Sequence, residues 1–396
     1  MLKLVSFQNN LLEQTTGDWF RYLYNSIESE ERLVGLKGLR GVGKTTLLLQ
    51  YLKFAYPNKK EGLYVTVDHP YFYTNTLFDL ATDWRNLGGK LLLIDEVHKY
   101  DNWSRELKLI YDGFPELQVI FTSSSALGLY KGESDLSRRL IVQTLEGLSF
   151  REYLAFKHKV EIDPISLSDI LVNHSDISNE LVKKFKPILH FKNYLIDGYF
   201  PFAKKRSNYL MQTMQTINTV LETDLAHIQD YSPSNTDKMK KLLGVISETV
   251  PFEPNISHIA QKLKLGRNTV ANYLHHLQEA KIINFANKKS KGITQLQKPN
   301  KIYFENTSFL HALQNNALIG TVRETFFINQ LKNANHNISL ADKADFLVND
   351  TWTFEVGGKN KNSSQLNGLK NGFLALDDIE HGLANKIPLW LFGLMY

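Results

Sequence analysis

The chain of 396 residues contains no cysteine, which excludes disulfides, thiolate metal sites and a cysteine nucleophile. Any metal must then be held by carboxylates, histidines or phosphates. Long apolar runs are also missing, since no stretch approaches the roughly 20 residues that span a bilayer. The first residues, MLKLVSFQNNLLEQ, lack the basic and then apolar order of a signal peptide. We therefore expect a cytoplasmic protein with no membrane partner.

The net charge is only +5, and its distribution is uneven. Between Lys262 and Lys301 the chain has eight lysines and one arginine against a single acid, Glu279. This segment therefore carries +8 and the remainder −3, an asymmetry that indicates a basic surface. Because 43% of the residues are hydrophobic and single cores seldom exceed about 250 residues, we expect two or three cores.

Short apolar runs alternate with helical segments from about residue 31 to residue 147, which predicts an α/β domain with a parallel sheet. We predict helices that start near Lys44, Thr74, Trp103 and Ser125. The five predicted strands are Arg32 to Leu36, Leu63 to Val67, Lys90 to Ile94, Leu117 to Phe121 and Leu140 to Leu145.

The octapeptide GLRGVGKT, residues 38–45, matches the phosphate-loop pattern G-x-x-x-x-G-K-[ST] between an apolar strand and a helix. Glycines let backbone N–H groups converge on phosphates at a helix N-terminus, Lys44 supplies a point charge, and the Thr45 hydroxyl ligates Mg²⁺. The predicted nucleotide-binding residues are Gly38, Leu39, Arg40, Gly41, Val42, Gly43, Lys44, Thr45, Thr46, Asp95 and Ser123.

The run Leu91-Leu92-Leu93-Ile94 ends in two acids, Asp95 and Glu96. An apolar run of this kind predicts a buried parallel strand, and ligands bind at the carboxyl edge of such sheets. We expect Asp95 to hold Mg²⁺ through water and Glu96 to polarise the water that attacks the γ-phosphate. Because the acids follow the third strand, we also expect another strand between the loop strand and the acid strand.

Polar side chains follow strand four, where Thr122 and Ser123 could contact the γ-phosphate and Ser125 could cap a helix. Arg138 and Arg139 precede strand five. An arginine there can reach a γ-phosphate across a subunit boundary, or can simply favour a helix C-terminus.

These runs resemble the prokaryotic AAA-type ATPases of the STAND-related class that carry a C-terminal domain of restriction-endonuclease-like fold. The resemblance spans the chain, and one departure is Ser123, where members often have glycine in a T-G-S-S sequence. It implies that the nucleotide is ATP. The motifs that carry it are residues 38–50, Asp95 to Tyr100 with Asn102-Trp103-Ser104, Asp135 to Arg139 and Gly147 to Leu154.

The basic segment predicts a winged helix-turn-helix. Asn255 caps a first helix, Gly266 breaks it, Asn268 caps a second helix to about Ala280, and strands Ile282 to Phe285 and Ile302 to Phe304 flank a wing. Double-stranded DNA is the expected partner, and packing against the ATPase or another protein is the alternative. The outward residues are Arg267, Thr269, Asn272 and His276, and the wing residues near phosphates are Lys288, Lys289, Lys291 and Lys298.

The last 90 residues place Glu324 on a helix, Asp345 before a strand and Glu355 on the next strand, in the order that PD-(D/E)xK nucleases place acids around Mg²⁺. The lysine of that pattern belongs at position 357, where this chain has glycine, and Lys359 comes two positions late. A vestigial nuclease site is therefore expected. The closing run Ile387 to Tyr396 predicts a buried strand.

The full prediction is an ATPase or ATP-driven switch with Mg²⁺, acting as a homo-oligomer or with a protein partner, and engaging DNA. A scaffold that binds ATP with little turnover and an ATP-gated nuclease are the alternatives. The predicted domains are a P-loop domain at 1–150, a helical lid at 151–240, a winged helix-turn-helix at 241–305 and a restriction-endonuclease-like domain at 306–396.

Overall fold

A computed structural model describes residues 1–27, 30–123, 136, 138–202, 206–225, 233–289 and 299–396. The chain divides into two compact units. The first unit comprises Met1–Glu146 and Glu222–Ser232, and the second comprises Gly147–Leu221 and Pro233–Tyr396. The finer division into four domains stays a prediction. Across the described ranges, no helix combines the length and the apolar character needed to cross a lipid bilayer.

The first unit is built on a parallel five-stranded sheet with the order β2-β3-β4-β1-β5. Each strand begins and ends within two residues of its predicted limits, and β1 to β4 are apolar runs that the sheet buries, whereas the edge strand β5 is partly exposed. The strand β4 lies between β1 and β3, which confirms the expected insertion. The strands are β1 Leu33–Lys37, β2 Gly62–Thr66, β3 Leu91–Asp95, β4 Gln118–Ser123 and β5 Ile141–Thr144.

Helices cover the sheet of the first unit. They are α1 Leu2–Gln14, α2 Lys44–Gln50, continued by a π-helical turn at Tyr51–Ala55, α3 Leu77–Asn86 and α4 Trp103–Gly113. The helix α3 begins three residues later than predicted, because Thr76 and Asp79 form a capping box at its N-terminus. Buried side chains of β2, β3 and β4 pack with Leu77, Leu107 and Ile110 of α3 and α4 in one core. The helix expected near Ser125 lies outside the described residues.

The second unit begins with helices and contains a small antiparallel hairpin. Its helices are α5 Phe150–His158, α6 Leu167–Leu181, α7 Pro187–Asp197, α8 Arg206–Thr219, α9 Pro233–Thr249, α10 Ile256–Leu263, α11 Arg267–Glu279, α12 Thr307–Leu313 and α13 Ile319–Asn333. The hairpin strands β6 Ile283–Ala286 and β7 Lys301–Phe304 pair as predicted. A π-helical turn at Val220–Asp224 follows α8.

The turn between α10 and α11 differs from its prediction. Asn255 caps α10, with its side chain accepting from the His258 N–H at 3.0 Å. The left-handed residue that ends α10 is Lys264, with φ 54°, and not Gly266. Gly266 instead occupies the extended N-cap position of α11, so Asn268 lies inside the helix rather than capping it.

A mixed five-stranded sheet closes the second unit, with the order β12-β11-β10-β9-β8. Strands β8 to β10 are antiparallel, whereas β11 and β12 run parallel to β10. The final run is buried as expected, but it forms a 3₁₀ helix at Leu389–Leu394 rather than a strand. Pro388 ends strand pairing because it has no N–H to donate. The strands are β8 Ile338–Leu340, β9 Phe346–Val348, β10 Trp352–Gly358, β11 Gly372–Asp377 and β12 Lys386–Pro388.

Candidate phosphate-binding site

The loop between β1 and α2 has the backbone geometry of an anion cradle. Gly41 and Gly43 have φ values of 84° and 98°, a region that side chains other than glycine rarely adopt. A Cβ atom at position 38 would lie 2.3 Å from the Leu145 carbonyl oxygen. Because α2 begins at Lys44, its first unpaired N–H groups face this loop and favour a negatively charged group.

The ammonium of Lys44 is buried in the loop. It donates to the carbonyl oxygens of Gly38 at 2.9 Å and Leu39 at 3.2 Å. Burial lowers the pKa of Lys44, and the negative charges of Glu96, Asp95 and Asp224 oppose that shift. The Lys44 ammonium is therefore placed so that phosphate oxygens in the loop could accept its hydrogen bonds in place of the two carbonyl oxygens.

Asp95, at the end of β3, is buried and fixed by three hydroxyl groups. The Thr45 hydroxyl donates to Asp95 Oδ2 at 2.7 Å, and the Tyr64 hydroxyl donates to the same oxygen at 2.9 Å. The Thr122 hydroxyl donates to Asp95 Oδ1. Burial and the adjacent Asp95 carboxylate raise the pKa of Tyr64, which keeps it a donor. The structure thus brings the two predicted metal ligands, Thr45 and Asp95, together.

Thr122 has a different role from the one that its position suggested. Besides donating to Asp95, its hydroxyl accepts from the backbone N–H of Glu96 at 2.9 Å. It therefore orients the two acids, and its contact with a γ-phosphate stays a prediction. Ser123 is buried at the end of β4 and pairs in register with Lys37, so it lies at the same sheet edge as the loop. Its contact with phosphate stays a prediction, and Ser125 lies outside the described residues.

Glu96 has a left-handed backbone conformation, with φ 58°, and its side chain lies near two cations and a histidine. Its Oε2 is 3.3 Å from Lys99 Nζ, 3.9 Å from Arg40 Nη1 and 4.0 Å from His98 Nε2. Such a φ value is uncommon for glutamate and is typical of functional sites. Burial lowers the pKa of Lys99, but Asp68 and Glu96 raise it by more. The Glu96 carboxylate therefore lies beside the phosphate loop, where the positive charges of Lys99 and Arg40 attract it.

Arg138 and Arg139 do not join this cluster within the chain. They precede β5, which runs parallel to β1, so they lie at the sheet edge opposite to the phosphate loop. Arg139 donates to both carboxylate oxygens of Asp112, at 2.8 and 3.0 Å, and Arg138 is exposed. A role at a γ-phosphate would require a neighbouring subunit and stays a prediction. Asp135 and Ser137 lie outside the described residues.

Three residues of this site were not among the predicted ones. Arg21 is buried, and its guanidinium donates to the carbonyl oxygens of Val42 and, at 2.6 Å, of Glu146. Asp224 lies 3.5 Å from Arg40 Nη1. Tyr64 could have been found from strand alternation, because it sits two residues before the partner of Asp95 in β2. Arg21 and Asp224 could not be found in this way, because Glu146 and Arg40, which they contact, are far away in the sequence.

The basic segment presents only part of its predicted surface. On α11, Val270, Leu274 and Leu277 are buried, while Arg267 and Asn272 are exposed and Thr269 and His276 are half-buried. The two described wing lysines differ from Arg267 in having acidic neighbours. Lys289 Nζ lies 3.1 Å from Asp350, and Lys288 Nζ lies 3.7 Å from Asp342. Two expected phosphate contacts are therefore ion-paired inside the unit. Lys291 and Lys298 lie outside the described residues.

The C-terminal acids converge, but with a different lysine from the one expected. The Glu355 carboxylate is buried and bound by Lys361, whereas Lys359 is exposed. A Cβ atom at position 357 would lie 2.8 Å from the side chain of Lys361. Glycine at that position thus makes room for Lys361 to fold back onto Glu355.

Glu324 and Asp345 complete the acidic group. Glu324 accepts from the Tyr303 hydroxyl at 2.6 Å and from Lys301 Nζ at 2.9 Å. Burial raises the pKa of Asp345, to about 6. The negative charges of Glu324 and Glu355 also raise this pKa, whereas the hydrogen bond from the Val356 N–H lowers it. In the parts of the chain that the structure describes, no three histidines or acids are arranged to hold a metal ion.

Thr122→Val should destabilise the protein more than Tyr64→Phe. The valine leaves both a carboxylate oxygen of Asp95 and the Glu96 N–H without the hydroxyl that they share. An unsatisfied buried partner costs about 1–3 kcal/mol, whereas Tyr64→Phe removes one of two donors to Asp95 Oδ2. Denaturant unfolding of both variants measures the difference, and equal midpoints would contradict the assigned role of Thr122.

Asp345→Asn should stabilise the protein at pH 8. The pKa of the Asp345 carboxyl is raised from 3.8 to about 6 in the folded protein. The protonated Asp345 therefore contributes fully to the stability of the fold below pH 4, and this contribution is lost as the pH rises through 6. Asparagine can still accept from the Val356 N–H and carries no charge. We expect a gain of about 1–3 kcal/mol at pH 8 that disappears near pH 4. Denaturant unfolding at both pH values tests this, and a gain that does not depend on pH would contradict it.

Comparisons with known proteins agree with this geometry. Residues 30–154 match an AAA domain family, and residues 188–318 match a domain of unknown function, DUF8612. An uncharacterized protein of Methanocaldococcus jannaschii is 29% identical over 276 residues, which is 65% of this chain and 57% of that protein. The chain thus spans a little over half the length of that relative.

Two solved structures are similar at low identity. The Walker-type ATPase of Pyrococcus abyssi is 13% identical, with a TM-score of 0.42 over 74% of this chain and 93% of that one. AMPPCP-bound DnaA from Aquifex aeolicus is 16% identical, with a TM-score of 0.27 over 69% of this chain and 87% of that one. These scores carry no argument by themselves. On the family match and the loop geometry, residues 30–154 form a domain that is similar to the AAA-type P-loop ATPases.

Proposed function

We propose that this protein binds ATP with Mg²⁺ and hydrolyses it. The observation that carries the proposal is the 2.7 Å hydrogen bond from the Thr45 hydroxyl to Asp95. It joins the start of the helix after the phosphate loop to the end of the acid strand. A phosphate cradle and a carboxylate are then in contact, as a site for a metal-bound triphosphate requires.

The residues present suit Mg²⁺. This ion prefers oxygen ligands and is usually held by one or two protein groups together with phosphates and waters. Thr45 and Asp95 supply a hydroxyl and a carboxylate within hydrogen-bonding distance of each other. When bound, Mg²⁺ would neutralise charge on the β- and γ-phosphates.

The protein groups have separate tasks in this proposal. The N–H groups of the loop and Lys44 bind the phosphate oxygens. Glu96 accepts a proton from the attacking water, and Thr122 keeps its backbone in place. Turnover is slow until a neighbouring copy supplies Arg138 or Arg139, so a homo-oligomer is part of the proposal.

We further propose that nucleotide binding controls a DNA-binding half, which makes the protein a nucleotide-driven switch. Helices α10 and α11 with the hairpin β6-β7 have the order of a winged helix-turn-helix. The exposed side chains of Arg267 and Asn272 on α11 support contact with duplex DNA through this helix. Lys288 and Lys289 have a smaller part, because each lies beside an aspartate of the same unit.

Two other functions remain as alternatives. A scaffold that binds ATP and protein partners would show nucleotide binding with little turnover. A nuclease at Glu324, Asp345 and Glu355 in a restriction-endonuclease-like domain would require release of the lysines now bound to Glu324 and Glu355. Plasmid cleavage with Mg²⁺ or Mn²⁺ that is lost in Glu355→Ala is the observation that this role needs.

Lys44→Ala and Glu96→Gln should both abolish most ATP turnover, but for different reasons. Lys44→Ala removes the cation for the phosphates, so nucleotide binding should also weaken. Glu96→Gln should lower the turnover rate about 100-fold or more while binding persists, because loss of a general base costs about 10²–10⁴ in rate. Phosphate release and calorimetric titration with ATP measure the two effects.

The matched control for this experiment is Glu116→Gln, which removes an acid from a surface ion pair with Arg85. Its turnover should equal that of the wild-type protein. Wild-type phosphate release no greater than that of Glu96→Gln, with intact binding, would refute hydrolysis and leave the scaffold function.

Arg267→Glu should weaken binding to duplex DNA more than the double change Lys288→Glu and Lys289→Glu. Arg267 is exposed on α11, whereas each lysine lies near an aspartate. We expect a loss of about tenfold for Arg267→Glu at 100 mM salt, since phosphate contacts dominate affinity. Fluorescence anisotropy with a labelled duplex measures it, and unchanged affinity in Arg267→Glu would exclude DNA contact through α11.

A further inference from the structure

Asp224 places a carboxylate beside the phosphate loop from a distant part of the chain. It ends the π-helical turn Val220–Asp224 and belongs to the same compact unit as the loop. Its side chain is 1% exposed, and Oδ1 lies 3.5 Å from Nη1 of Arg40. None of the loop motifs accounts for an acid at this position.

A carboxylate this buried needs positive charge nearby, because desolvation of an ion costs several kcal/mol. Arg40 provides one such charge by direct contact. Lys44 provides a second, since Asp224 is among the acids whose charge opposes the effect of burial on the pKa of Lys44. Two cations of the loop therefore stabilise Asp224 in the structure.

The phosphates of a nucleotide require one of these cations, Lys44, and bind in the loop that carries the other, Arg40. Oxygens of the β- and γ-phosphates approach the ammonium of the loop lysine and the N–H groups around it. A buried carboxylate within contact of Arg40 would then face several negative charges with little solvent to screen them. Binding of the triphosphate and burial of Asp224 thus oppose each other.

We propose that Asp224 is an internal competitor of the nucleotide: it pairs with Arg40, attracts Lys44 through space, and weakens triphosphate binding until it is displaced. This inference rests on the proposed function as a nucleotide-binding protein. It adds a regulatory contact, because anything that moves Val220–Asp224 changes nucleotide affinity.

A second role for Asp224 predicts the opposite sign. If the acid held Arg40 in position to bind phosphate, its removal would weaken nucleotide binding. The direction of the change in affinity therefore separates competition from positioning.

The test is calorimetric titration of the full chain with a non-hydrolysable ATP analogue and Mg²⁺. Asp224→Asn should bind the analogue about tenfold more tightly than the wild-type protein, within the range of typical coupling between sites. Asp224→Ser, which also removes the charge, is the second variant in case asparagine prevents folding. The matched control is Glu222→Gln, which removes an exposed acid of the same turn and should change affinity less than twofold.

A double-mutant cycle assigns the effect to Arg40. In an Arg40→Gln background, the gain from Asp224→Asn should become smaller, since one of the two cations that couple the sites is gone. Unchanged or weaker binding by folded Asp224→Asn and Asp224→Ser would overturn the inference. The proposed function would still stand in that case, provided that the wild-type protein bound the analogue. If neither the wild-type protein nor the variants bound the analogue, both would fail.

Discussion

The carboxylate of Asp95 is the group on which the phosphate site depends. Three hydroxyls donate to it, from Thr45 at the start of α2, Tyr64 on β2 and Thr122 on β4. Because it ends β3 between those two strands, these bonds tie neighbouring strands and the loop helix into one frame. A buried carboxylate with its lone pairs satisfied keeps a single orientation, and the backbone of Glu96 takes its position from the same Thr122 hydroxyl.

The charges of the phosphate loop are balanced by groups of its own unit. Lys44 binds backbone carbonyls, Arg40 lies between Asp224 and Glu96, and Lys99 pairs with Glu96. Under the proposed function a nucleotide would engage Lys44, so its binding would replace the interactions that Lys44 makes with the Gly38 and Leu39 carbonyls. The free energy of binding is then a difference between two sets of contacts, and residues outside the loop motif influence it.

Much of this arrangement was predictable from local sequence, and the reason is physical. Apolar runs fix buried parallel strands, and the glycine spacing fixes the loop, so the five strands and the contact of Thr45 with Asp95 followed from short segments. Arg21 and Asp224 could not be predicted from local sequence. Arg21 donates to the Glu146 carbonyl and Asp224 contacts Arg40, and in each pair more than 100 residues separate the partners. The two misplaced residues have separate reasons. Asn268 lies inside α11 because Gly266 already occupies the N-cap position, and Lys359 falls in the turn that follows β10.

The second unit shows why a charge count along the chain does not measure a binding surface. The segment around the hairpin carries +8 in sequence, yet Lys288, Lys289 and Lys301 lie beside Asp342, Asp350 and Glu324, which come from later residues. Folding thus brings acids to part of the basic segment and leaves Arg267 on α11 exposed. A polyanion would meet the charge that remains after these pairings, and for this reason Arg267, rather than Lys288 or Lys289, is the stronger candidate for the proposed contact with DNA.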